Sequence, residues 1–162
     1  MSEKSGKLIA VWGAPHSGKT TFSASLATAI ADSYASATVI VLHSDIEAPM
    51  LSVLFPNAKS GSLGSVGIPL SANEPDTEQI LANCTETKAR PTLAVMGYRD
   101  GDTRLTYPRY GKERATELLQ RLLTLADFVI VDCMSNPNES LLSLAALETA
   151  SQTVRLCTPE LP

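Results

Sequence analysis

The chain has 162 residues, 44% of them hydrophobic, which suits one packed domain over 1–162. Its 13 Lys+Arg stand against 17 Asp+Glu, a formal net charge of -4, which argues against a broad basic surface for nucleic acid or anionic lipid while leaving room for a local patch. Cys84, Cys133 and Cys157 are odd in number and widely spaced, which disfavours a disulfide framework or zinc site and suits a reducing cytoplasmic setting, and no segment approaches the roughly 20 apolar residues of a membrane span.

The first apolar run, "LIAVW" at 8–12, reads as a strand, and Phe22, Leu26 and Ile30 after it share one face of a helix. "TVIVL" at 38–42 reads as the second strand. "Ser44-Asp-Ile-Glu47" after it has the S-x-x-E form of a capping box, which predicts a helix running towards Leu54. Residues 56–90, rich in Ser, Gly, Asn and Pro, read as a surface excursion with a short helix in "DTEQILANC" capped by Asp76 or Thr77. "TLAVM" at 92–96 is the next strand. Ala115, Leu118, Leu119, Leu122 and Leu123 then mark a helix, "FVIVD" at 128–132 another strand, and "TVRLC" at 153–157 a weaker fifth. All five read as strands buried on both faces, so the fold class is α/β, a parallel sheet flanked by helices. The ending "CTPELP" follows the last strand at once, and the domain therefore reads as lacking its C-terminal elements.

Between the first strand and helix, Gly13, Gly18, Lys19 and Thr20 satisfy G-x-x-x-x-G-K-[ST] in the context that pattern requires. Its glycines let the backbone amides of a phosphate loop turn towards phosphate oxygens at a helix N-terminus. The loop residues Gly13, Ala14, Pro15, His16, Ser17, Gly18, Lys19, Thr20 and Thr21 are the expected nucleotide contacts, with Lys19 on the β- and γ-phosphates and the Thr20 hydroxyl on Mg²⁺. His16 is read as shaping the loop in preference to touching a substrate.

Two carboxylates stand where strands end, beyond which α/β sheets bind their ligands. Asp132 closes "FVIVD" as the expected Walker B residue holding Mg²⁺; the alternative is a strand-end turn cap. Asp45 follows the second strand and is read as orienting water or joining the Mg²⁺ shell, with helix capping as the structural alternative. The one basic cluster, Arg99, Arg104, Arg109, Lys112 and Arg114 among three tyrosines, is read as a solvated loop in preference to a phosphate lid or partner surface.

With these residues in place the chain resembles the ParA/MinD group of P-loop ATPases, of the SIMIBI class, from about Lys7 to Glu160. "SLGSV", "ADFVIVD" and "TPE" fall in that group's order, and within it the chain is most similar to atypical TadZ/CpaE-like members of pilus assembly. The resemblance implies a three-layer P-loop NTPase fold, ATP and Mg²⁺ as cofactors, and a homodimer that forms around ATP and releases a protein partner after hydrolysis. It assigns phosphate binding to Lys19, metal binding to Thr20 and Asp132, and water positioning to Asp45. Two positions depart from the pattern. Ala14 stands where the group's K-G-G-x-G-K-[TS] loop has an additional lysine reaching across the dimer, which implies slow hydrolysis, and Asn136 stands where the group commonly has glycine. A phosphotransferase with the basic stretch as its lid, and a scaffold that scarcely hydrolyses ATP, are the competing readings.

Overall fold

The structure is a computed structural model that describes residues 5–59 and 61–159; Glu160, the end of "TPE", lies outside them. Its strands and helices follow one another as β1 (Lys7–Gly13), α1 (Lys19–Ser33), β2 (Val39–His43), α2 (Leu51–Leu54), α3 (Gly67–Ser71), α4 (Thr77–Ala82), β3 (Thr85–Glu86), β4 (Leu93–Met96), α5 (Lys112–Leu125), β5 (Phe128–Asp132), α6 (Leu141–Thr149) and β6 (Gln152–Leu156). The strands form a six-stranded sheet in the order β3-β4-β2-β5-β1-β6. Every pairing is parallel except that of β3 with β4.

Alternation along the central strands divides the core into two layers. Leu8 and Ala10 of β1, Ile40 and Leu42 of β2, and Val129 and Val131 of β5 point to one face, where they pack with Leu118, Leu119 and Leu122 of α5 and Leu142, Ala145 and Ala146 of α6. Ile9, Val11, Val39, Val41 and Ile130 point to the other and meet Ala27, Ile30 and Ala31 of α1. Small residues on α1 let the helix lie close to the sheet. The result is the expected three-layer α/β/α arrangement.

Three expectations need correction. β6 is an edge strand with exposed and half-buried residues, so it is not buried on both faces. Residues 56–90 are more than a surface excursion: Val66, Leu70 and Ile80 are fully buried in the α5 and α6 layer, while Asp76 caps α4 by accepting from the Gln79 amide at 2.7 Å. The capping box at Ser44 does not form. The Ser44 hydroxyl instead donates to the Asp132 carbonyl at 2.8 Å and lies 2.8 Å from Ser143 Oγ, and the next helix starts only at Leu51.

The basic stretch is held by carboxylates, several of them distant in sequence. Arg104 meets Glu47 at 2.9 Å, Lys112 meets Glu148 at 3.0 Å, and Arg99 donates to the Tyr107 hydroxyl beside Asp102. No helix among the described residues is long and apolar enough to cross a membrane.

Candidate functional site

The parallel sheet brings the C-terminal ends of β1, β2 and β5 together. Val11 and His43 are both register partners of Asp132, so the loop after β1 must lie beside the carboxylate that ends β5. Between Gly13 and α1 the backbone curls through positive φ at Gly13 (145°), His16 (59°) and Gly18 (85°). His16 is the one non-glycine residue with positive φ among the described residues, and it shapes the loop at a cost of roughly 1–2 kcal/mol.

The curl leaves donors open. The amides of His16, Gly18, Lys19 and Thr20 have no acceptor among the described residues. Gly18 gives α1 no side-chain cap and the first turn holds no acidic residue, so nothing in the helix offsets its positive end. The Ser17 hydroxyl is buried without a partner. Lys19 is only 8% exposed, and its ammonium donates to two neutral acceptors, the Ala14 carbonyl at 3.0 Å and Ser135 Oγ at 2.9 Å. A buried ammonium without a counter-charge is unfavourable, and an anion at the loop would relieve it.

Thr20 donates to Asp132 Oδ2 at 2.7 Å, leaving the lone pairs of the threonine oxygen available to a cation. Asp45 accepts the Glu47 and Ala48 amides on Oδ1 at 2.8 and 3.1 Å, an Asx turn that fixes the carboxylate and leaves Oδ2 without a partner among the described residues. A cavity of about 340 Å³ brings these groups together. Of the expected residues, Pro15, His16, Gly18, Lys19, Thr20, Thr21, Asp45 and Asp132 line it, whereas Gly13, Ala14 and Ser17 do not. The basic stretch does not reach it.

Sequence reading missed His43 and Ser135, which also line the cavity. Neither belongs to a local motif; each meets its partner across the fold. A larger, mainly apolar cavity of about 590 Å³ lies between α1 and residues 54–63. We place the site in the smaller one because the unpaired donors and the carboxylates converge there.

Asn136 bonds Glu139 Oε1 at 2.9 Å, outside the cavity. Cys133, next to Asp132, is buried, and burial pushes its thiol up to about 12; burial likewise raises Cys84 to about 11, while Cys157 is exposed. At pH 8 the half-buried Cys84 and the buried Cys133 are therefore both protonated, and the thiolate is the reactive form. With an aromatic disulfide reagent, Cys157 alone is expected to react in the folded protein, and denaturant should release the other two; rapid reaction of Cys133 in the native state would contradict this burial.

No protein-family model and no curated protein matches the sequence. Among solved structures, the chain is similar to the septum site-determining protein MinD complexed with Mg-ADP from Pyrococcus horikoshii, with 18% identity and a TM-score of 0.72 over 96% of this chain and 59% of that one. It is similar to the cell division ATPase MinD of Pyrococcus furiosus, with 20% identity and a TM-score of 0.72 over 96% and 60% of the two chains. It is also similar to cobyrinic acid a,c-diamide synthase from Mycobacterium smegmatis with bound ADP and magnesium, with 18% identity and a TM-score of 0.67 over 93% and 59%. The chain therefore spans 59% to 60% of the length of these proteins. With its sheet order, its phosphate loop after β1 and its carboxylate at the end of β5, the chain has the fold of the MinD-type P-loop ATPases.

Proposed function

We propose that the chain binds ATP with Mg²⁺ in the cavity at the loop and works as a slow ATPase that switches a homodimer, acting through a protein partner to position, partition or assemble a cellular cargo. The observation that carries the nucleotide reading is Lys19, a buried ammonium held only by neutral acceptors beside a loop of unpaired amides. Solved structures of the same fold with Mg-ADP, or with ADP and magnesium, support the choice of ligand.

No group of three or more His, Cys, Asp or Glu side chains among the described residues could cage a metal. A divalent ion would depend on Thr20, Asp132, phosphate oxygens and water, which is how Mg²⁺ is commonly held. Mg²⁺ supplies charge neutralisation on the phosphates. Lys19 binds the phosphate oxygens, the loop amides orient them, and Asp45, fixed by its turn, directs a water with its free oxygen. Ala14 offers no cation at the position where the resembling group has one, so turnover is slow. The dimer and the partner follow from that resemblance. The pairing of Arg99, Arg104 and Lys112 with other residues, outside the cavity, gives no support to a phosphotransferase lid.

Mass in solution tests the switch. Light scattering behind size exclusion should give the 17.2 kDa monomer with Mg²⁺ alone or with ADP, and twice that mass with ATP. A monomer in all three conditions, with ATP shown separately to be bound, would remove the switch.

A further inference from the structure

His43 closes β2 as Asp132 closes β5, and the two are register partners on adjacent parallel strands. The imidazole is 3% exposed and places Nδ1 2.9 Å from Asp132 Oδ2, the same oxygen that takes the Thr20 proton at 2.7 Å. A carboxylate only accepts, so the ring donates from Nδ1. Two donors thus converge on Oδ2, and Oδ1 has no partner among the described residues. His43 also lines the cavity, beside Lys19 and Asp45.

We propose that His43 is the positioning residue for Asp132. By holding Oδ2 from the adjacent strand β2, it fixes the rotation of the carboxylate; Thr20 then gives its proton in one direction and keeps its lone pairs for a cation, and Oδ1 stays unengaged for the shell of that cation. The inference rests on the Mg-nucleotide reading and deepens it. Backbone pairing, not loop chemistry, sets the geometry, so it exists before any ligand arrives. A histidine that merely filled space would support the strand ends without affecting metal affinity. One that orients a metal-holding carboxylate should affect it by about ten- to a hundredfold.

The test combines a metal-free readout with a metal titration. In the metal-free protein, ¹⁵N chemical shifts of the His43 ring should show the Nδ1–H form, and Asp132→Ala should abolish that preference. An Nε2–H ring in the wild type would overturn the proposal. Calorimetric titration with ATP, in EDTA and at graded MgCl₂, then compares His43→Ala, His43→Asn and His43→Gln. Asn can place an amide donor near the position of Nδ1, and Gln carries its amide one bond further out. The Mg²⁺ concentration at half effect should rise at least about tenfold in His43→Ala and His43→Gln, with affinity in EDTA unchanged, and His43→Asn should recover most of the loss. Should the alanine variant fail to fold, the Asn and Gln pair decides alone. Equal Mg²⁺ dependence in all folded variants, or a loss in EDTA as large as that with Mg²⁺, overturns the positioning role while leaving nucleotide binding intact. A wild type that binds no ATP in either buffer overturns the nucleotide reading itself, and the two failures are distinct.

Discussion

Lys19→Ala is expected to lower ATP affinity by at least about thirtyfold while leaving the protein folded. Truncating one partner of a desolvated charge pair typically costs about 2–5 kcal/mol, and each 1.4 kcal/mol is about tenfold in affinity. The side chain lies almost out of solvent at the first position of α1, where the loop amides converge, and its ammonium is the only full positive charge that residues 13–21 would offer the phosphates of the proposed ligand. Stability should respond differently. Without nucleotide, Lys19 is a buried cation with two neutral partners, Ala14 and Ser135, so removing it also removes a desolvation penalty. The melting temperature of the ligand-free variant should therefore hold or rise, while the gain that ATP confers on the wild type disappears. An unfolded Lys19→Ala protein, or one that binds ATP as the wild type does, would contradict the role given to this residue.

Gly13→Ala should have the largest effect on stability. Gly13 has φ 145°, a conformation L residues rarely adopt, and a Cβ there would overlap the Leu156 carbonyl oxygen and lie 2.9 Å from its carbon. Those atoms are backbone of β6, paired with β1 in register, and cannot rotate aside as a side chain can. Overpacking together with the unfavourable φ should cost roughly 3 kcal/mol. For a domain of this size that corresponds to a fall of about 10 °C in the midpoint of thermal unfolding. The strain falls where β1 becomes the phosphate loop, so ATP affinity should fall as well. A midpoint equal to that of the wild type would mean that β1 and β6 separate more readily than their pairing indicates.

Much of this architecture was legible from local sequence. The central strands announce themselves because burial on two faces demands unbroken apolar runs, and the phosphate loop because its geometry needs glycines and Lys19 at fixed spacing. Asp132 followed from ending such a strand. What escaped depends on distant partners or on signals too short to register. β3 has two residues, Thr85 and Glu86, and no apolar pattern. Val66 and Leu70 lie in the short run "VGIPL" and Ile80 in "ILA", stretches too brief to mark a strand or a long helix, so their convergence on α5 is a tertiary fact. Ser44 had the right spacing for a cap, but burial against Ser143 and the Asp132 backbone claimed its hydroxyl. His43 and Ser135 reach the site across separations of 89 and 116 residues, which no local motif encodes. The basic stretch is less solvated than its polar sequence suggests: Tyr98 and Asp102 are buried, Tyr107 and Tyr110 pack on the core, and Glu47, Glu139 and Glu148 outside it pair with Arg104 and Lys112.

The most direct test is calorimetric titration of the wild-type chain with ATP, in MgCl₂ and in EDTA. Saturable binding of one nucleotide per chain, tighter with Mg²⁺ and displaced by ADP, is the expected result, because in the proposed function Lys19 and the open amides would meet the phosphates while Thr20 and Asp132 would hold the ion. Absence of ATP binding in both buffers by a folded protein would contradict the assignment of this cavity to a nucleotide.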